Sequence, residues 1–243
     1  MPNVSAAIVV IGNEILSGKV EDTNSSFLAK ELRSLGVSLE RILVIPDDVE
    51  VIAESIRDYS TRFDWVFTSG GVGPTHDDVT VAGVARALGV EVVRHPVLEK
   101  LLLAYSAGKP DKASLKLAEV PEGAELIYGE DLAFPVLKAR NILILPGIPE
   151  LFRAKFKALR SRFVSAPFYL RVIYLRAAET TLVPYLNATL QAFPELLLGS
   201  YPKWNDPEYR VRVTLESKDQ RYVDQALAHL LAQIPPELVV RTE

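Results

Sequence analysis

The run Ala6-Ala7-Ile8-Val9-Val10-Ile11 holds no polar side chain. A strand that is apolar on both faces must be covered on both, which points to a sheet held between two helical layers. Short apolar runs alternate with helical patterns through the first two-thirds of the chain, the mark of a mostly parallel sheet with helices packed on it. After the first run comes a helix with Phe27, Leu28, Leu32 and Leu35 on one stripe and Gly36 placed to end it. Residues 39–45 and 64–68 read as the next strands. Val49, Ile52 and Ile56 form the apolar face of a helix between them, and Val81, Ala82, Ala85 and Leu88 that of a helix closing at Gly89. Residues 96–119 read as two helical pieces split by Gly108-Lys109-Pro110. Residues 141–145 read as a late buried strand, and Pro149 suits the first turn of a closing helix.

The pattern changes near Ser165-Ala166-Pro167, and a boundary there divides the chain into residues 1–166 and 167–243. Beyond it, residues 168–176 and 209–216 read as strands, 180–193 and 219–233 as helices, and 196–200 and 238–241 as short strands. The expected fold class is therefore α/β, a three-layer domain on a mostly parallel sheet. A smaller C-terminal α+β module of βαββαβ, ferredoxin-like order follows it. Trp204, Tyr201 and Tyr209 cluster in that module, where core packing or an oligomer contact is the expectation.

Composition narrows the function. Lys and Arg number 27 against 31 Asp and Glu, a net charge of −4, which argues against a nucleic-acid binder relying on bulk positive charge. There are no cysteines, so disulfides, thiol catalysis, zinc fingers and iron–sulfur clusters are excluded together. No apolar stretch is long enough to span a membrane, and no basic segment precedes an apolar run at the N-terminus. A cytoplasmic protein without membrane partners is the expectation.

The most specific segment is Thr68-Ser69-Gly70-Gly71-Val72-Gly73-Pro74-Thr75-His76-Asp77-Asp78. It places three glycines within four residues, after a buried strand and before a helix. Glycine lets the backbone approach a ligand closely, so that successive N–H groups converge on an anion, and the following helix adds its positive dipole end. A phosphate cradle is the physical reading. It is neither a Walker A loop, since no Gly-Lys-Ser/Thr follows, nor a dinucleotide fingerprint, whose last small residue would fall at His76. Gly12-Asn13-Glu14, Pro46-Asp47-Asp48 and Pro146-Gly147-Ile148-Pro149 follow other strands. In an open parallel sheet such loops line one crevice. Glu14, Asp47, Asp48, Asp77 and Asp78 would surround the cradle, although Asp47 or Asp48 also suits a helix N-cap before Val49. These loops supply no Lys or Arg, so a divalent cation bridging carboxylate and phosphate is implied: Mg²⁺, with Mn²⁺ or Co²⁺ as substitutes. His76 lies inside the loop at a spacing matching no metal motif, and His95 and His229 read as structural.

Gly12-Asn13-Glu14-Ile15-Leu16-Ser17-Gly18, Asp22-Thr23-Asn24, the Gly-Gly-Val-Gly-Pro-Thr-His-Asp-Asp loop and Leu145-Pro146-Gly147-Ile148-Pro149 together resemble the molybdopterin-binding (MoCF, MoaB/Mog-like) superfamily. Within it the chain is most similar to the CinA N-terminal branch and to the molybdopterin-binding-like domain of eukaryotic FAD synthases. Gly199-Ser200-Tyr201-Pro202 and Trp204 add to the latter likeness. The resemblance implies a three-layer α/β domain, a nucleotide or pterin ligand at the glycine loop, and a homo-oligomer, dimer or trimer. CinA-type members are metal-dependent pyrophosphatases acting on ADP-ribose, the FAD-synthase domain hydrolyses FAD to FMN and AMP, and the Mog branch adenylylates molybdopterin. Asp47 and Asp78 match that last branch's essential aspartates. The chain departs from the CinA branch at Gly129-Glu130-Asp131-Leu132-Ala133-Phe134-Pro135, where a Gly-x-Ala-Pro-Gly stretch would stand. It ends at Glu243, so nicotinamide-nucleotide deamidation and FAD synthesis are not expected of it.

The leading expectation is a Mg²⁺-dependent nucleotide pyrophosphatase cleaving the diphosphate of ADP-ribose, FAD or a related dinucleotide. Gly70, Gly71 and Gly73, with Thr68, Ser69 and Thr75, would hold the diphosphate, and Gly12, Pro146 and Gly147 would border it. Asp78 and Asp47 would anchor the metal or orient water, with Glu14 and Asp77 in support. The alternatives are adenylyl transfer to molybdopterin and a non-catalytic nucleotide-binding protein.

Overall fold

The computed structural model describes residues 4–105, 112–129 and 132–243. The expected break at Gly108-Lys109-Pro110, and Glu130 and Asp131, lie outside those residues. The chain divides into two compact units, Met1–Ser165 and Ala166–Glu243. The first opens with β1 (Ser5–Ile11), a one-turn helix α1 (Asn13–Leu16), α2 (Asn24–Ser34), β2 (Ser38–Ile45), α3 (Val49–Arg62), β3 (Trp65–Ser69) and α4 (Thr80–Leu88). It continues with β4 (Val92–Arg94), α5 (Pro96–Tyr105), α6 (Lys112–Lys116), β5 (Glu119–Pro121), β6 (Glu125–Ile127), β7 (Val136–Ala139), β8 (Ile142–Leu145) and α7 (Pro149–Leu159).

The main sheet has the order β2-β1-β3-β8-β7-β6. Its first four strands are parallel, while at one end β7 runs antiparallel to β8 and the edge strand β6 antiparallel to β7. The apolar alternation of β1 explains the layering. Ala6, Ile8 and Val10 face a core shared with Leu28 and Leu32 of α2 and Phe152 and Phe156 of α7. Ala7, Val9 and Ile11 face the opposite core, with Ile52 and Ile56 of α3 and Val84 of α4. A strand buried on both faces and a three-layer domain therefore stand as expected. Asp48 ends the ambiguity over the α3 cap: its side chain accepts from the N–H groups of Glu50 and Val51. Strands β4 to β7 were not legible as strands, because three or four residues carry too little alternation to distinguish a strand from a loop.

The topology also fixes where a ligand can sit. From β1 the chain crosses to β2 on one side, then returns to β3 on the other. The ends of β1 and β3 thus diverge at a topological switch point, where open α/β sheets hold their ligands.

The second unit runs β9 (Tyr169–Leu175), α8 (Glu179–Ala192), β10 (Leu197–Pro202), β11 (Val211–Ser217), α9 (Gln220–Gln233) and β12 (Val239–Thr242). Its sheet order β10-β11-β9-β12 is antiparallel throughout, the ferredoxin-like arrangement. Ile173, Val213 and Leu215 pack under Leu182 and Leu186 of α8 and Val223 and Leu230 of α9. On the other face Tyr174 meets Tyr209 edge-on at 4.8 Å between ring centroids. The expectation of core packing is corrected for Trp204, which stands 99% exposed on the segment between β10 and β11. Among the described residues, no helix is long and apolar enough to cross a membrane.

One ionisable group is embedded in the first unit. Lys155 of α7 donates to the carbonyls of Phe134 (2.8 Å) and Pro135 (2.7 Å), and burial lowers its pKa to about 8. Its ordinary value is 10.5, so between these limits the unfolded chain binds more protons than the folded one, and stability rises with pH across that window. Urea unfolding should therefore show the stability difference between wild type and Lys155→Met growing in favour of wild type from pH 8 to pH 10.5. A constant difference would remove Lys155 as the source.

Candidate functional site

The glycine loop leaves β3 at the switch point and folds back on itself. Gly70 (φ 101°) and Gly71 (φ 64°) occupy backbone regions that L side chains rarely adopt. A Cβ on Gly70 would overlap the Ile11 carbonyl oxygen at the end of β1, and one on Gly71 would overlap the Thr80 hydroxyl. These residues are glycine because the loop is pressed against β1 and against the first residue of α4. Thr80, fully buried, staples the turn: its hydroxyl donates to the Gly70 carbonyl (2.8 Å) and its N–H to the Gly71 carbonyl (3.0 Å).

Two of the expected N–H donors are already committed. Gly70 N–H donates to the Leu145 carbonyl (3.2 Å), and Thr75 N–H to Asp78 Oδ2 (2.8 Å). The N–H groups of Gly71, Val72 and Gly73 have no acceptor among the described residues, and they form the available face of the cradle.

That face borders a cavity of about 590 Å³ lined by Ser69, Gly70 to Pro74 and Asp78, with Pro146 and Gly147 from the end of β8. Ile15, Val20, Ile148 and Leu151 give it an apolar wall, and Glu14, Glu21 and Asp22 add acids. Val20, Ile148 and Leu151 are each about half exposed. A shallower depression beside it is lined by Asn13, Glu14, Ser17, Lys19, Asp47 and Asp77. Asp47 and Asp78 therefore fall in different depressions, and Glu14 borders both. Asp47 Oδ2 accepts from Asn13 N–H (2.8 Å). Asp78 Oδ2 also accepts from the Thr75 hydroxyl, which closes the tip of the loop. Asp77 is held below the ordinary carboxylate range, first by the Thr75 hydroxyl, then by its own N–H and by the charges of His76 and Lys116.

Two other expected ligand residues stand elsewhere. Thr68 is fully buried in the sheet, with its hydroxyl facing Leu145 N–H (3.4 Å). Gly12 lies outside both cavity walls, and its missing side chain makes room for the Glu14 carboxylate. Among the described residues, no three His, Cys, Asp or Glu side chains gather so as to hold a metal ion.

Sequence reasoning missed two residues here. Asn24, buried at the start of α2, donates from Nδ2 to Ser69 Oγ (2.9 Å) and to the Gly147 carbonyl (2.8 Å). It ties the exits of β3 and β8 together, and Asp22 Oδ1 positions it by accepting from its N–H (3.0 Å). Lys116 of α6 corrects the expectation that the cradle has no lysine: its ammonium donates to the Thr75 carbonyl across 41 positions of sequence. Asn24 could have been suspected from a polar residue beginning an otherwise apolar helical stripe. Nothing local announces Lys116.

Residues 7–165 match the family model described as a probable molybdopterin binding domain. The chain belongs to the molybdopterin-binding (MoCF) family. Residues 167–243 match the model of the FAD synthase middle domain. A protein of Archaeoglobus fulgidus is 36% identical over 90% of this chain and 93% of its own length. A probable FAD synthase of Caenorhabditis elegans is 31% identical over 93% of this chain, which spans 49% of that relative. Among solved structures, the CinA protein of Thermoplasma acidophilum superposes with a TM-score of 0.62 at 29% identity, over 67% of this chain and 99% of that one. The family models, the CinA neighbour and the FAD synthase relative together match the superfamily and branches that the motifs resemble.

Gly70→Ala should destabilise the first unit by at least about 2 kcal/mol in urea unfolding, because it combines an unfavourable φ with overlap on Ile11. A near-neutral effect would mean that the loop is not pressed against β1.

Proposed function

We propose that this protein binds a nucleotide diphosphate at the glycine loop and hydrolyses its phosphoanhydride, with ADP-ribose and FAD as the leading substrates. The observation that carries the reading is the set of three backbone N–H groups, on Gly71, Val72 and Gly73, left without acceptors beside a 590 Å³ cavity. Converging amides of this kind bind oxyanions, and they stabilise charge that develops on a scissile phosphate. The apolar wall of Ile15, Val20, Ile148 and Leu151 suits the flat face of a nucleoside base. The likeness to FAD synthases supports a nucleotide over free phosphate.

The donor set offered to a metal is all oxygen, which suits a hard divalent ion, and it is too sparse for a closed protein cage. That fits Mg²⁺, which is commonly held by one or two carboxylates together with substrate phosphates and water. Asp47 would hold it, with Glu14 and Asp77 on the same depression, and Mn²⁺ or Co²⁺ could replace it. When bound, such an ion supplies charge neutralisation and activation of water. The family resemblance gives Asp78 a share in it, and the bonds from Thr75 support a further task of holding the loop in its binding shape. Asp77, kept ionised at neutral pH, is available to orient a water through its carboxylate oxygens. Adenylyl transfer to molybdopterin would use the same cradle, and the family model over residues 7–165 keeps it as the second reading.

A panel of ADP-ribose, FAD, NAD and molybdopterin plus ATP, each tested with Mg²⁺, Mn²⁺ and Co²⁺ and resolved by chromatography, separates the readings. The expected products are AMP with ribose phosphate or FMN. An adenylylated pterin would instead establish the second reading. Asp47→Asn should lower kcat at least about 10²-fold and raise the Mg²⁺ requirement. Asp78→Asn should chiefly raise KM, because it loosens the loop. Equal effects of both on the metal requirement would return Asp78 to the metal.

A further inference from the structure

Beside the main cavity lies a recess of about 140 Å³, bordered by Gly71, Val72, Gly73, Asp78, Lys116 and Glu119. It shares its glycine wall with the main cavity but is too small for a nucleoside, since pockets for drug-sized ligands begin at roughly 300 Å³. The first residues of α4 close it, with Val81 and Ala82 on its wall, so the positive end of that helix faces the same space. Among the described residues, Lys116 is the single cation on this lining, and its ammonium donates to the Thr75 carbonyl at the tip of the loop.

We propose that Lys116 orients the ligand: the phosphate end enters this recess, where the ammonium offsets its charge and holds the Thr75 carbonyl, so that nucleotide diphosphates bind without a divalent ion. The inference rests on the nucleotide reading above and adds a direction and a charge partner to it. The acids around the loop would otherwise repel a phosphate until a metal arrived. With Asp78 and Glu119 on the same wall, removing the lysine leaves those two carboxylates with no cation beside them among the described lining residues. An ammonium is a compact point charge able to serve an anion and a carbonyl together, and a charge-assisted hydrogen bond is about twice as strong as a neutral one. In this scheme the metal serves turnover and Lys116 serves binding. Lys116 is accordingly a positioning residue.

The test is calorimetric titration of the full chain with ADP and with adenosine, in EDTA, at low and high salt. Wild type should bind ADP without metal, more tightly than adenosine, with an affinity that falls as salt rises. Lys116→Met should weaken ADP binding at least about 10-fold and flatten its salt dependence, while adenosine binding stays unchanged. Lys116→Arg should restore much of the loss. Lys116→Gln can still donate to the Thr75 carbonyl without a charge, so it should keep the wild-type unfolding transition yet behave as Lys116→Met toward ADP. ADP binding by wild type only when Mg²⁺ is added would overturn the proposal, as would undiminished binding by Lys116→Gln. Hydrolysis is read separately. A protein that binds ADP in EDTA through Lys116 but cleaves nothing with any metal keeps this inference and loses the hydrolytic reading.

Discussion

The close approach of the glycine loop to the end of β1 governs the site. Gly70 sits where any Cβ would strike the Ile11 carbonyl, and its N–H is spent on Leu145 of the neighbouring strand. With that residue pinned, and with Thr80 holding the carbonyls of Gly70 and Gly71 from the other side, the next three amides are left without acceptors among the described residues. The exits of β1, β3 and β8 are thus joined in one arrangement, and Asn24 ties Ser69 to Gly147 across it. Loosening any of these bonds would let the amides diverge, and divergent amides do not make an anion site.

The electrostatics divide in space. Asp47, Glu14 and Asp77 gather on one shallow, open depression, while the free amides, the start of α4 and Lys116 gather around a smaller recess. A nucleotide diphosphate suits that division, with its apolar base on the wall formed by Val20, Ile148 and Leu151 and its charged end toward the amides. Asp78 and Glu119 still border that recess, with Lys116 beside them, while Glu14, Asp47 and Asp77 lie off it. Asp48 leaves the expected set of acids altogether as the cap of α3, and Asp78 is partly satisfied by Thr75.

Much of this was legible from residue pattern. The continuous apolar run from Ala6 to Ile11 pointed to a strand covered on both sides, and the glycine run after residues 64–68 to a strand-to-helix turn with close backbone approach. Val211, Val213 and Leu215 alternate along an antiparallel strand and face the helices, and Tyr209 lies just before it. Other features stayed hidden for physical reasons. Strands β6 and β7 are too short to show alternation, and α6 owes its importance to the direction in which one lysine points. For Trp204 the expectation was core packing or an oligomer contact, and its 99% exposure, set by how the segment between β10 and β11 leaves the sheet, removes the first.

Local chemistry alone therefore determined the layered α/β unit, the ferredoxin-like module and the position of the glycine turn, since apolar period and glycine placement act over a few neighbouring residues. Only the tertiary structure decided which amides remain free, which acids share a surface, and that Lys116 meets Thr75. Those outcomes depend on contacts between residues tens of positions apart, where no short-range pattern carries the information.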